Sequence, residues 1–233
     1  MADLLQFRST KPGSMLYTGA LLEPRAYAPA GQKPKPDAKK SYSVNMYYDA
    51  DHPDVKAQKD QMLASAKAKW PGLNIVEEIK EGRMRMPFTT GDKLIAKRAT
   101  KLKAKGKEPD TVLDFLKGKV VFKASSDFPV ALGVRVKDQG DIDVNDQNKA
   151  VHKSAFYDGV LGLWGVSYSP YDAVKEDDKP GVKAYLDMAH SLNSGPRHKL
   201  GGRSAADTFK GVAGAAVTTD PTAGDDTSSS EDF

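Results

Sequence analysis

The chain has 233 residues, 39% of them hydrophobic and 28% charged, with a formal charge of +4, enough length for one large or two small domains around a buried core. It has no cysteine, which excludes disulfides, thiol catalysis and zinc sites built on Cys, and fits a reducing compartment. No stretch approaches the roughly 18 apolar residues of a membrane span, and MADLLQFRSTKPG at the start carries no apolar signal core, so neither membrane insertion nor secretion is expected.

Residues 1–13 read as a flexible N-terminus. Residues 14–23 (SMLYTGALLE) predict a first strand ended by Pro24, and the Pro- and Lys-rich stretch 28–39 a loop. In SYSVNMYY (41–48), Tyr42, Val44, Met46 and Tyr48 alternate with Ser43, Asn45 and Tyr47, the period of a half-buried strand. Pro53 suits the first turn of a helix over 53–70. Its stripe is Val55, Met62, Leu63, Ala66 and Trp70, and Pro71-Gly72 stops it. A short strand at 83–88 alternates Met84, Met86 and Phe88 with Arg83 and Arg85.

Residues 92–117 interrupt the strand pattern. The segment 93–107 has seven bases and no acid, with Leu94, Ile95, Ala99 and Leu102 as a narrow apolar stripe. Asp110 is placed to cap a second short helix bearing Val112, Leu113, Phe115 and Leu116. Together they read as a basic helical insertion. Strands resume at 119–125, 130–137, 157–169 and 181–192, with 138–148 a polar loop and 175–181 the turn of a hairpin. Residues 194–217 read as a weakly ordered exit segment. The last sixteen residues, TTDPTAGDDTSSSEDF (218–233), hold Asp220, Asp225, Asp226, Glu231 and Asp232, no base, and a terminal Phe233. Taking these five negative charges away from +4 leaves +9 on the rest of the chain. A disordered acidic tail of this kind is either a solubilising appendage or a competitor for the ligand of a basic body.

About seven strands, one well-formed helix and a helical insertion predict a mainly β protein, an antiparallel barrel or sandwich. A five-stranded antiparallel barrel with one packed helix would be an oligonucleotide/oligosaccharide-binding (OB) fold.

Catalytic patterns are missing. His52, His152, His190 and His198 are scattered, with no i, i+4 pair for a metal helix. There is no phosphate loop and no GxSxG elbow. Gly159, Gly162 and Gly165 read as sites of strand curvature or a bulge. Asp141-Ile-Asp143-Val-Asn145-Asp146 starts like a calcium loop but has Asp146 where glycine belongs and His152 where glutamate belongs. No cofactor, metal or catalytic set is expected.

What recurs is the interleaving of bases and aromatics on strands. Arg83 and Arg85 lie opposite the methionines. Lys119 and Lys123 lie opposite Val120, Phe122 and Ala124. Lys183 and Tyr185 lie opposite Val182, Ala184 and Leu186, and Tyr47 opposite Val44 and Met46. Strand 157–169 and its exit supply Trp164, Tyr168 and Tyr171. Trp164 shares parity with Val166 and Tyr168 but opposes Leu161 and Leu163, so its face is open. Single-stranded nucleic acid asks for this mixture, because cations track phosphates while rings stack on bases at about 1–3 kcal/mol each. Two other readings stand beside it. A duplex or RNA binder would rely on the bases of 93–107, and a metal-dependent nuclease would use Asp141, Asp143 and Asp146.

LLEPRAY (21–27), SYSVNMYY (41–48), AKAKW (66–70), LKGKVVFKASS (116–126), YDGVLGLWGVSYSPYD (157–172) and LGGRSAADTF (200–209) are collinear with, and resemble, segments of phage and prophage single-stranded DNA-binding proteins with an OB fold. The resemblance covers most of 14–209, and 14–193 would be the DNA-binding domain. The tail ending in Asp232-Phe233 is similar to that of the podovirus replication single-stranded DNA-binding protein. The resemblance implies a non-catalytic protein that coats single strands during phage DNA replication and recombination in the bacterial host cytoplasm, as a monomer or weak homodimer. Tyr171, in the Pro170-Tyr171 pair, becomes the favoured stacking residue. The tail residues Asp225, Asp226, Glu231, Asp232 and Phe233 would recruit phage or host replication proteins, a polymerase or primase-helicase. Two departures stand out: Asp172-Ala173-Val174 follows where the podovirus protein has a Trp, and the tail is less densely acidic. A phage structural or assembly protein is the remaining rival.

Overall fold

Period-two alternation becomes a closed barrel in a computed structural model that describes residues 5–26, 38–174 and 178–200. In chain order the elements are β1 (Leu5–Arg8), β2 (Gly13–Leu16), α1 (Gly19–Leu22), β3 (Arg25–Ala26), β4 (Lys40–Asp49), α2 (Pro53–Lys69), α3 (Ile75–Lys80), β5 (Phe88–Thr90) and α4 (Gly91–Lys103). A 3₁₀ turn at Asp114–Leu116 leads to β6 (Lys119–Ser126), β7 (Ala131–Val136), β8 (Gly140–Val144), α5 (Lys149–His152), a 3₁₀ turn at Lys153–Ala155, β9 (Leu161–Tyr171) and β10 (Gly181–Ser191).

Five of these strands close on themselves in the order β2-β4-β6-β10-β9 and back to β2. Four contacts are antiparallel, and β6 meets β10 in parallel at Ser125 and Tyr185. This is the five-stranded OB barrel expected from the sequence. Met15, Val44, Met46, Phe122, Val166 and Tyr168 fill it. β5 adds to β6, and the β7–β8 hairpin extends β10. Gly165 faces Met188, where β10 bulges between Leu186 and Met188. A Cβ at Gly165 would come within 2.7 Å of the Met188 side chain.

The packed helix is α2. The His52 ring accepts the Asp54 N–H at 3.2 Å, Pro53 starts the first turn, and Lys67 and Lys69 sit in the last, where cations oppose the helix dipole. Val55, Met62 and Ala66 are buried beside β1 and β9. Asp54, itself buried, accepts the Thr10 N–H at 3.0 Å, the Thr10 hydroxyl at 2.5 Å and the Lys11 N–H at 3.3 Å. In place of a flexible N-terminus, residues 5–8 pair with β9 from Leu5–Tyr168 to Arg8–Gly165.

Other boundaries also shift. The first strand ends at Leu16, because Asp158 takes the N–H groups of Tyr17 (2.5 Å) and Thr18 (3.2 Å) and the chain turns into α1. At 83–88 only Arg85 bridges, to Gly181, before β5 begins. The polar loop 138–148 holds β8, reached through a tight turn with Asp138 at φ 66° and Gly140 at φ 80°. Asn74 caps α3, which the sequence reading missed.

The insertion is helical through α4, capped by Thr90, but its second part is a single 3₁₀ turn. Asp110 is occupied by the Arg98 guanidinium at 2.6 and 2.5 Å and takes the Val112 N–H at 3.4 Å. Leu94, Ile95, Leu113, Phe115 and Leu116 lie over Tyr47 and Val121 on the outer face of β4 and β6, a second apolar cluster. Residues 194–200, the start of the expected exit segment, run back along the barrel as a strap. Leu161 donates its N–H to Ser194 O at 2.7 Å, and His198 donates its N–H to Asp158 O at 2.8 Å. Leu200 joins the second cluster. Residues 201–233, with the acidic tail, lie outside the described residues.

Candidate nucleic-acid interface

The outward positions of β6 and β10 bring Lys123, Ser125, Lys183 and Tyr185 to one face of the barrel, because Ser125 and Tyr185 are register partners. The segment before β5 is held against the same face. Lys123 donates its N–H to Pro87 O at 2.8 Å, and the N–H of Val182 reaches Arg85 O at 2.9 Å. A groove of about 390 Å³ results, walled by Arg85, Pro87, Lys123, Tyr171 and Lys183. Gly181 permits the close approach, since a Cβ there would sit 2.3 Å from Arg85 O and 2.9 Å from the Tyr171 hydroxyl.

Tyr171 and Tyr185 are 36% and 37% exposed, so each offers ring surface to a ligand. The Lys183 ammonium lies 4.4 Å from the Tyr185 ring centroid, a cation–π contact. Among the described residues neither Lys123 nor Lys183 has an acidic partner, and Arg85 has only Asp178 at 4.0 Å. The end of β9 is tied down just past Tyr171. Asp172 pairs with Lys69 at 2.6 Å and accepts from the Trp70 indole at 3.3 Å, and Lys69 holds its carboxyl below the usual range. The groove lies on the outer face of the third and fifth barrel strands, β6 and β10, beside the end of the fourth, β9. OB folds bind oligonucleotides on this face.

The structure therefore gathers Arg85, Lys123, Tyr171, Lys183 and Tyr185 and leaves the other five expected residues elsewhere. Arg83 is bound to Glu78 at 2.9 and 2.8 Å and also contacts Glu81. Lys119, at the far end of β6, pairs with Asp49. Trp164 and Tyr168 are 2% and 1% exposed, which corrects the expectation that they stack on bases. Both point into the barrel with Val166, and burial raises the Tyr168 phenol far above its ordinary value. Tyr47 faces outward as its parity requires but lies beneath the insertion, 5.6 Å from the Phe115 ring, with its hydroxyl 2.8 Å from His198 Nε2. Its stacking role is corrected for the same reason.

The sequence reading missed Phe128, 76% exposed in the turn after β6. The turn follows closely on Ser125, which lines the groove, and the neighbouring Asp127 pairs with Lys39 at 2.7 Å, which holds its carboxyl below the usual range. The available signal was an aromatic between Asp127 and Pro129, outside any strand. The tail residues Asp225, Asp226, Glu231, Asp232 and Phe233 fall outside the described residues.

Of the acids of the nuclease reading, Asp141 is otherwise engaged. Asp141 accepts from the Arg135 guanidinium at 2.8 and 3.0 Å and lies 3.3 Å from His190, and Arg135 holds its carboxyl below the ordinary range. Among the described residues no three His, Asp or Glu side chains converge as metal ligands, and no helix is long and apolar enough to cross a membrane.

No protein-family model matches the chain, and no curated protein matches its sequence. Solved structures do resemble it. The single-stranded DNA-binding protein from bacteriophage Enc34 aligns with TM-score 0.54 at 13% identity, covering 88% of this chain and 89% of that one. Its C-terminal truncation aligns with TM-score 0.51 at 14% identity, over 83% and 86%. The single-stranded DNA-binding protein gp2.5 of bacteriophage T7 aligns at 0.47 and 15% identity, over 94% and 100%. The first two alignments establish a shared fold over most of the chain.

Proposed function

We propose that this chain is a sequence-nonspecific single-stranded DNA-binding protein. The observation that carries this reading is the convergence of Arg85, Lys123, Lys183 and Tyr171 in one open groove on the face of an OB barrel, with the exposed Tyr185 ring beside it against Lys183. The cations neutralise successive phosphates, while Tyr171 and Tyr185 stack on bases, with Phe128 as a further ring at the rim. Stacking accepts any base, so binding is insensitive to sequence. In this role the protein is not an enzyme. It coats and protects single strands in phage DNA replication and recombination in the host cytoplasm, and its tail, with Asp225, Asp226, Glu231, Asp232 and Phe233, recruits a polymerase or primase-helicase.

The test is fluorescence anisotropy with labelled oligo-dT and a duplex of equal length across a salt series. Oligo-dT is expected to bind more tightly, with each neutralised phosphate contributing roughly −0.7 to the slope of log K against log salt. Lys123→Gln with Lys183→Gln should flatten that slope by about 1.4. An unchanged slope in this folded double variant would remove the groove from the binding site.

A further inference from the structure

A second surface combines unpaired charge with a strained aromatic. α4 carries Lys93, Lys97 and Lys101 at i, i+4 and i+8, one row with steps of about 6 Å, and Lys103, Lys105 and Lys107 follow. All six are exposed, and among the described residues none has an acidic partner. Arg98, by contrast, is taken by Asp110. Like charges at i, i+4 oppose helix formation, so α4 is held by the contacts of Leu94 and Ile95 with the second cluster rather than by its surface.

Beside this helix stands Tyr17. It is 48% exposed and its backbone has φ 60°, a left-handed conformation that is rare for a bulky aromatic residue. The Asp158 carboxylate imposes it by taking the N–H groups of Tyr17 and Thr18. Leu16, the residue before it, belongs to the same apolar cluster as Leu94 and Ile95 of α4, which brings Tyr17 to the α4 side of the barrel. The core has no need of an exposed ring held in this conformation. The groove is close along the chain: Arg85 to Pro87 line it, and the three residues of β5, roughly 10 Å of extended chain, lead directly into α4.

We propose that α4 and Tyr17 form a second single-strand subsite, where Lys93, Lys97 and Lys101 hold successive phosphates and Tyr17 stacks on a base, so that a strand lying in the groove continues over the insertion. The inference rests on the groove being a single-strand site. It adds that the footprint is longer than the groove and is filled in two parts.

The experiment compares oligo-dT of about 6 and about 16 nucleotides, lengths within the range OB folds cover, on the full chain. Lys93→Gln/Lys97→Gln/Lys101→Gln should lower the salt slope for the longer oligonucleotide by about 2 and leave the shorter one unaffected. Tyr17→Gly keeps the left-handed backbone without strain and should weaken the longer oligonucleotide about fivefold or more, the lower end of one stacked base. Wild-type behaviour of both variants on the longer oligonucleotide overturns the second subsite. So does equal weakening at both lengths. Failure of the groove itself shows separately, as Tyr171→Ala leaving the shorter oligonucleotide bound as in wild type.

Discussion

Along β6 the outward side chains run Lys119, Val121, Lys123 and Ser125, and the two halves of this row have opposite fates. At the Val121 end, with Tyr47 beside it on β4, the insertion has closed over the strand and made a second apolar cluster. Two residues on, at Lys123, the face is open and charged. The strands are the same and so is the face, so the difference lies in the chain laid across them. Strand period decides which layer an aromatic joins, and the covering segment decides whether its ring is available. Tyr47 therefore holds the insertion in place, whereas Tyr171 and Tyr185 remain for a ligand.

Substitutions can break this division. The largest effect should come from the barrel interior: Trp164→Ala is expected to cost about 3–5 kcal/mol of stability by denaturant unfolding, with oligo-dT affinity of the folded protein unchanged. Lost affinity at full stability would return Trp164 to the interface. On the open half, Tyr171→Ala should lose about 1–3 kcal/mol of oligo-dT binding at an unaltered melting temperature. An unchanged dissociation constant in the folded variant would take Tyr171 out of the site. On the covered half, Tyr47→Phe removes a hydroxyl bonded to His198 and should cost about 0.5–1.5 kcal/mol of stability with no change in DNA affinity. If that variant instead binds oligo-dT less tightly, the insertion opens to admit the strand and the two halves form one site.

Much of the barrel was legible because period two and turn residues are local signals. SYSVNMYY, KVVFKAS and the last two strands announce themselves, as do the helix limits at Pro53 and Pro71-Gly72. What stayed hidden depends on partners far away in sequence. Nothing near Leu16 shows that Asp158 will end the strand there, and nothing near Tyr47 announces a cover made of Leu113, Phe115 and Leu116. Trp164 was undecided because its parity conflicts with Leu161 and Leu163, and the pairing with β10 settles it inward. Arg83 failed for a local reason: it belongs to the turn after α3, five residues from the glutamate that binds it. Lys123 and Lys183 were found because outward lysines on two strands that meet near Ser125 and Tyr185 need no further partner to reach solvent.

The smallest expected effect concerns the strap that crosses the covered half. The His198 ring stacks on Phe115 with centroids 3.7 Å apart and planes 8° apart, and its Nε2 meets the Tyr47 hydroxyl at 2.8 Å. Burial lowers its affinity for a proton, and Asp158 offsets this only in part. Unfolded chains take up that proton near pH 6.5, the folded strap only at lower pH. Protonation therefore favours the unfolded state, and stability should fall as pH drops below about 6.5, with no contribution from this group above it. Denaturant unfolding of wild type and His198→Gln between pH 7 and pH 5 reads this directly. The wild-type advantage should shrink toward pH 5, and a constant difference would break the link. The hydrogen bonds and ring contacts of His198 go to Asp158, Tyr47 and Phe115 rather than to the groove, so oligo-dT affinity of the folded protein should be the same in His198→Gln as in wild type. A change in affinity would mean that the strap, through Tyr47 and Val121, sets the shape of the open half as well.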